Sequence, residues 1–152
     1  MDNIIDRMHP ISCMDQAQAL ELTARLRTEG VVVYELDGSM VRDAVTFLAA
    51  ARERLPLDPP STNDRPNWDA FSDSLFGGID LQGEATASTS FVVMWTHVEN
   101  MLEGGLPDLL QVVSVFEQVS RQLRSPVDDE PRRSLSLVLV GEGRNFPRVS
   151  DS

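Results

Sequence analysis

Phe91-Val92-Val93-Met94-Trp95 is the stretch that decides the fold. A strand sends alternate side chains to opposite faces, so five consecutive large apolar residues leave neither face for water. Sheets covered on both faces are typically parallel, with helices packed on each side. The same pattern recurs outward in both directions. Upstream, Val31-Val32-Val33-Tyr34 is a β-branched run of the doubly buried type. Downstream, Leu135, Leu137 and Leu139 alternate with Ser134, Ser136, Val138 and Val140. Three strands separated by helical segments predict an α/β fold, a three-stranded parallel sheet joined by right-handed crossovers.

The segments between these runs read as helices with identifiable ends. Asp15 with Gln18 approximates a capping box, Ala19, Leu22 and Leu26 form a stripe, and Gly30 suits the position just past a helix end. This first helix is an extra N-terminal element, preceded over residues 1–13 by an irregular lead-in. A second helix is expected from Met40 to Leu55, capped by Ser39. Pro56 to Pro66 holds four prolines and reads as a loop. A short helix follows Asn67, stopped by Gly77-Gly78, with a polar loop over residues 79–89. His97 to Leu102 is a further short helix. Gly104-Gly105 breaks it, and Pro107 opens a long helix over Asp108–Leu123 whose apolar residues cover more than one face. At 152 residues the chain is most simply one domain, ending in a loose tail over residues 141–152.

Composition bounds the function. A chain of 152 residues can bury a core without disulfides or metal. Cys13 is the single cysteine, so no intrachain disulfide forms, which fits a reducing compartment. No apolar run approaches the ~18 residues of a membrane span. The first residues lack the basic and apolar regions of a signal peptide, and the expected location is cytoplasmic. The net charge of −11 argues against nucleic acid as a direct partner and against an anionic membrane, both of which require cationic surface. All thirteen basic residues are Arg, and none falls between Arg65 and Arg121. Asp69, Asp73, Asp80, Glu84, Glu99, Glu103, Asp108 and Glu117 all do, so the middle third carries one sign. Such a block serves solubility or attracts a basic protein partner.

Within that block, Asn67-Trp68-Asp69-Ala70-Phe71-Ser72-Asp73-Ser74-Leu75 keeps Trp68, Phe71 and Leu75 on one helical side. Asp69 and Asp73 project together from another. Like charges at i, i+4 cost a helix about 0.2–0.5 kcal/mol. The helix dipole accounts for Asp69 in the first turn but not for Asp73. The pair suits a solvated face, a cationic protein partner or, less well, a cation. Two carboxylates supply too few oxygens for Ca²⁺ or Mg²⁺. A pair projecting one way from one element also does not flank a scissile bond. His9 and Cys13 lack further ligands for a metal. His97 follows the end of a strand, where α/β enzymes often place catalytic groups, although a surface histidine flanking a helix explains it as well. No phosphate-binding glycine loop and no G-x-S-x-G elbow is present. The expectation is a non-enzymatic protein without cofactor or metal.

The chain resembles the barstar family of intracellular ribonuclease inhibitors. The resemblance is carried by Leu36-Asp37-Gly38-Ser39-Met40, by Asn67-Trp68-Asp69-Ala70-Phe71-Ser72-Asp73 after a proline-rich loop, by Val93-Met94-Trp95 and by Val115-Phe116. The resemblance covers residues 31–140, which implies an N-terminal extension over 1–30 with one helix, a barstar-like domain over 31–140 and a tail over 141–152. It implies a three-stranded parallel sheet packed with helices, and an acidic helix that plugs the cationic active site of a secreted or cytotoxic ribonuclease. By the resemblance, Asp73 stands where an RNA phosphate stands, with Asp69 at the rim. The implied partner surface comprises Asn63, Asn67, Trp68, Asp69, Ser72, Asp73, Phe76, Gly77, Gly78 and Gln118. The family pattern has aromatics at Ser72 and Gly78 and a different loop at Arg65-Pro66, departures that point to a nuclease or toxin other than barnase. The alternative is an acidic interaction module on the same scaffold, without a nuclease target.

Overall fold

The computed structural model describes residues 8–60, 65–125, 131–143 and 146. In chain order the elements are β1 (Ile11–Met14), α1 (Gln16–Thr28), β2 (Val32–Asp37), α2 (Ala44–Arg54), α3 (Trp68–Thr86), β3 (Ser90–Thr96), α4 (Glu99–Gly104), α5 (Leu106–Arg124) and β4 (Ser134–Val140). The strands form one sheet in the order β1-β4-β3-β2, and every pairing is parallel. Val93 stands at its centre, opposite Tyr34 on one side and Leu137 on the other.

The sheet therefore has four strands, not three. Ile11-Ser12-Cys13-Met14 sends Ile11 and Cys13 to one face and Met14 to the other, but four residues are too short a run to mark a strand locally. It becomes one by pairing with β4, Ile11 opposite Leu137 and Met14 opposite Val140. The second correction concerns β2. Its position at the sheet edge leaves Val32, Val33 and Tyr34 only half-buried, because an edge strand has one neighbour. The runs in β3 and β4 are buried as their composition requires.

The two faces of the sheet are covered differently. Phe91, Val93, Trp95, Leu135, Leu137 and Leu139 point into the larger core, against Phe47, Leu48 and Ala51 of α2, Phe71, Leu75 and Ile79 of α3, and Val112, Phe116 and Val119 of α5. Val92, Met94, Val138 and Val140 point the other way, against Ala19 and Leu26 of α1 with Met14 and Val31. Since β1 and β2 lie at opposite edges, α1 crosses the whole back of the sheet between them.

Helix ends follow the local chemistry, with three further corrections. Asp15 and Gln18 form the expected capping box, and Gly30 takes φ +80° just past the end of α1, a left-handed position that favours glycine. The second helix starts at Ala44 rather than Met40. Ser39 donates its N–H to Asp37 Oδ1 (2.9 Å) and belongs to the turn, while Asp43 and Thr46 make the capping box. The acidic helix does not stop at Gly77-Gly78 but runs on to Thr86. A Cβ on Gly78 would run into the Pro56 carbonyl oxygen, and one on Gly77 into that of Asp58. The glycines let the Pro56–Asp58 segment lie against the helix, where the Asp58 N–H donates to the Ser74 carbonyl (2.9 Å). Finally, α5 is buried along one side only, with Leu106 and Leu110 exposed.

Candidate functional site

The N-terminal turns of α3 are built from the inside outward. Phe71, Leu75 and Ile79 are fully buried. Phe47 meets Phe71 edge-on at 5.6 Å, Trp95 at 4.9 Å and Trp68 at 6.3 Å between ring centroids, so the first turn is clamped to α2 and linked through Phe47 to β3. Asn67 caps the helix, its side-chain oxygen accepting from the Ala70 N–H at 3.0 Å. Packing and cap together fix which face looks outward.

Asp69 and Asp73 stand on that outward face, both exposed. Neither has an ion-pair or side-chain hydrogen-bond partner among the described residues. Asp69 lies in the first turn, where the dipole contributes about 0.3–1 kcal/mol for an acid. Asp73 has no such local compensation. Of the other residues singled out in the sequence, Asn67 and Gln118 are exposed, and Trp68, Phe76 and Gly77 are half-buried. Ser72 and Gly78 sit in the interior, on the side of α3 that faces the protein. Asn63 lies outside the described residues.

Asp80 continues the same helix face but is half-buried and paired with Arg133, which precedes β4. The sequence offers no sign of this contact, because the two residues are 53 apart in the chain. It means that the one-signed middle third draws a compensating charge from outside itself.

A second polar region lies at the C-terminal ends of the strands. Gln16, Asp37, Thr96, His97, Glu99, Val140, Gly141 and Glu142 line a hollow of about 230 Å³. The Ser39 N–H and hydroxyl hold the Asp37 carboxyl below its usual range, and His97 adds to the effect. His97 takes φ +57°, with Nδ1 3.7 Å from Glu99 Oε1. It faces Glu99 of α4, so its described contacts tie it to the strand ends rather than to α3. Among the described residues no three His, Cys, Asp or Glu side chains are grouped to hold a metal. No helix there is long and apolar enough to cross a membrane. What α3 offers chemically is two unpaired carboxylates about 6 Å apart along the axis, held on a rigid helix.

Comparison with known proteins adds one finding. A family model described as Barstar (barnase inhibitor) matches residues 31–139, from the residue before β2 to the penultimate residue of β4. It leaves out β1 and α1. No curated protein and no solved structure matches the chain.

Proposed function

The chain belongs to the barstar (barnase inhibitor) family, and on that premise we propose that it is an immunity- or antitoxin-type inhibitor that occupies the cationic active site of a cytotoxic ribonuclease with α3. The observation that carries this reading is the exposed, unpaired Asp69–Asp73 pair on a helix clamped by Trp68, Phe71 and Asn67. A ribonuclease site that binds phosphate presents Arg or Lys. Asp73 takes the phosphate's place there, and Asp69 supports it from the rim. Asn67, Trp68, Phe76 and Gly77 supply contact surface around the pair, with Gln118 contributing from α5. Ser72 and Gly78, interior in the free protein, enter only through the backbone they position. Preorganisation favours the mechanism, since a helix already fixed by its core loses little freedom on binding. The surrounding acidic block accelerates encounter with a basic partner. Inhibition requires no chemistry from this chain.

The test is co-purification from the native cell, a ribonuclease assay of what is recovered, and calorimetric titration of that nuclease with wild type and Asp73→Ala. The variant is expected to stay folded and to bind more weakly by about 2–5 kcal/mol. Complexes of this same family contribute to that range, so it is not a magnitude that this structure supplies. Unchanged affinity would remove Asp73 from the site. Recovery of non-nuclease partners alone would replace inhibition with a role as an acidic interaction module.

A further inference from the structure

The outward stripe of α3 does not end at Asp73. At 3.6 residues per turn, Asp69, Asp73, Asp80 and Glu84 fall within about 60° of one another around the axis. Left bare, they would form an acidic track about 22 Å long, suited to an extended basic tract. Arg133 interrupts that track. Its side chain is only 5% exposed and pairs with Asp80. The Arg133 side chain lies against Gly83, where a Cβ would strike its Nε, Cδ and Cζ. The Arg133 backbone is held as firmly, with its N–H donating to the Leu123 carbonyl of α5 (3.0 Å) and the next N–H, of Ser134, to the Thr89 carbonyl (2.8 Å). Nε is buried without a hydrogen-bond partner, and among the described residues Asp80 is the carboxylate that this cation meets.

We propose that Arg133 is a specificity-determining residue for partner binding: by neutralising Asp80 it cuts Asp69 and Asp73 off from Glu84 and leaves them as a compact pair. The partner this selects presents a compact pair of cations, as a phosphate-binding pocket does, and not a long polybasic segment. The proposal rests on the reading of Asp69 and Asp73 as the partner-facing pair. Asp80 lies seven residues beyond Asp73, about 10 Å along the axis. One charge at that separation in water changes the affinity for a facing cation by about twofold. The effect is screened once salt brings the Debye length well below ~10 Å.

The test uses a hexa-arginine peptide as a cationic probe independent of any nuclease. Its footprint on the full chain is mapped by backbone amide shifts at low ionic strength. In the wild type the footprint is expected over the first two turns of α3 and absent from residues 80–86. Arg133→Met is expected to extend it to residues 80–86 and tighten binding by about twofold. Asp80→Asn leaves Arg133 uncompensated and is expected to weaken binding by a similar factor. Opposite signs for the two variants separate charge control from structural damage, which would weaken both. If Arg133→Met fails to fold, the wild-type footprint decides: absence from residues 80–86 supports the role of Arg133, and continuation through residue 84 overturns it. A wild-type footprint running through residue 84, or variants that shift binding in the same direction, would overturn the role of Arg133 alone. No footprint at Asp69 and Asp73 would overturn the partner-facing reading with it.

Discussion

Leu26→Ala tests whether α1 is part of the folded core. Leu26 is fully buried, enclosed by Met14, Val31, Val92, Met94, Val138 and Val140. Removing three carbons there loses transfer free energy and leaves a cavity, and Leu→Ala changes at such sites cost about 2–5 kcal/mol. The back cluster is thin, a single helix on one face, so partial collapse should hold the loss near ~3 kcal/mol. For a chain of this length, that lowers Tm by about 6–12 °C. Leu20, on the same helix but 65% exposed, is the control. Leu20→Ala should stay within about 0.5 kcal/mol. The assay is urea unfolding followed by tryptophan fluorescence and far-UV circular dichroism together. Trp95 is fully buried in β3 on the opposite face, so its signal reports whether the loss at α1 reaches the whole sheet. Both probes should shift together in Leu26→Ala. Equal effects of the two substitutions would refute the packing of α1 on the sheet. A helix signal lost before the fluorescence changes would make α1 a separately unfolding unit.

Two further predictions probe the helices that present the acidic face. Gly78→Ala gains about 0.5–1 kcal/mol of helix propensity, but its Cβ meets the Pro56 backbone carbonyl, an overpacking that costs about 1–3 kcal/mol or more. The urea midpoint should therefore fall, whereas a glycine that merely ended the helix would give a rise. Asp43→Ala removes the cap of α2 and should cost about 1 kcal/mol near neutral pH. The Thr46 N–H, with the Thr46 hydroxyl, holds the Asp43 carboxyl below its usual range, so its contribution is complete above about pH 4 and is lost as pH falls through the lowered value. Thermal melts of wild type and variant should converge toward acid, and a constant gap would refute the assignment.

The readings that held share a physical origin. Five apolar residues at Phe91–Trp95 allow no solvated face, so burial on both sides followed from composition alone. The Asp15–Gln18 capping box and the Asn67 cap depend on atoms three residues apart, and the chain carries that information locally. The common face of Asp69 and Asp73 follows from the helical period once the helix exists. The readings that changed depend on contacts between distant residues. Ile11–Met14 is too short to declare itself a strand and becomes one by pairing with β4. Val31–Tyr34 looks central by composition, but strand order puts it at the edge. Gly77-Gly78 has the same residue types as a helix stop, and only the Pro56–Asp58 segment lying against it shows why glycine is needed.

The same division runs through the candidate site. The α/β class, the Asp15 and Asn67 caps and the paired carboxylates of α3 are legible in the chain alone, because each is written in the period or spacing of neighbouring residues. The fourth strand, the helix that crosses the back of the sheet, the passage of α3 through its glycines and the capture of Asp80 by Arg133 emerge only when the layers pack. Those features are made by groups tens of residues apart, whose meeting is set by how the layers pack.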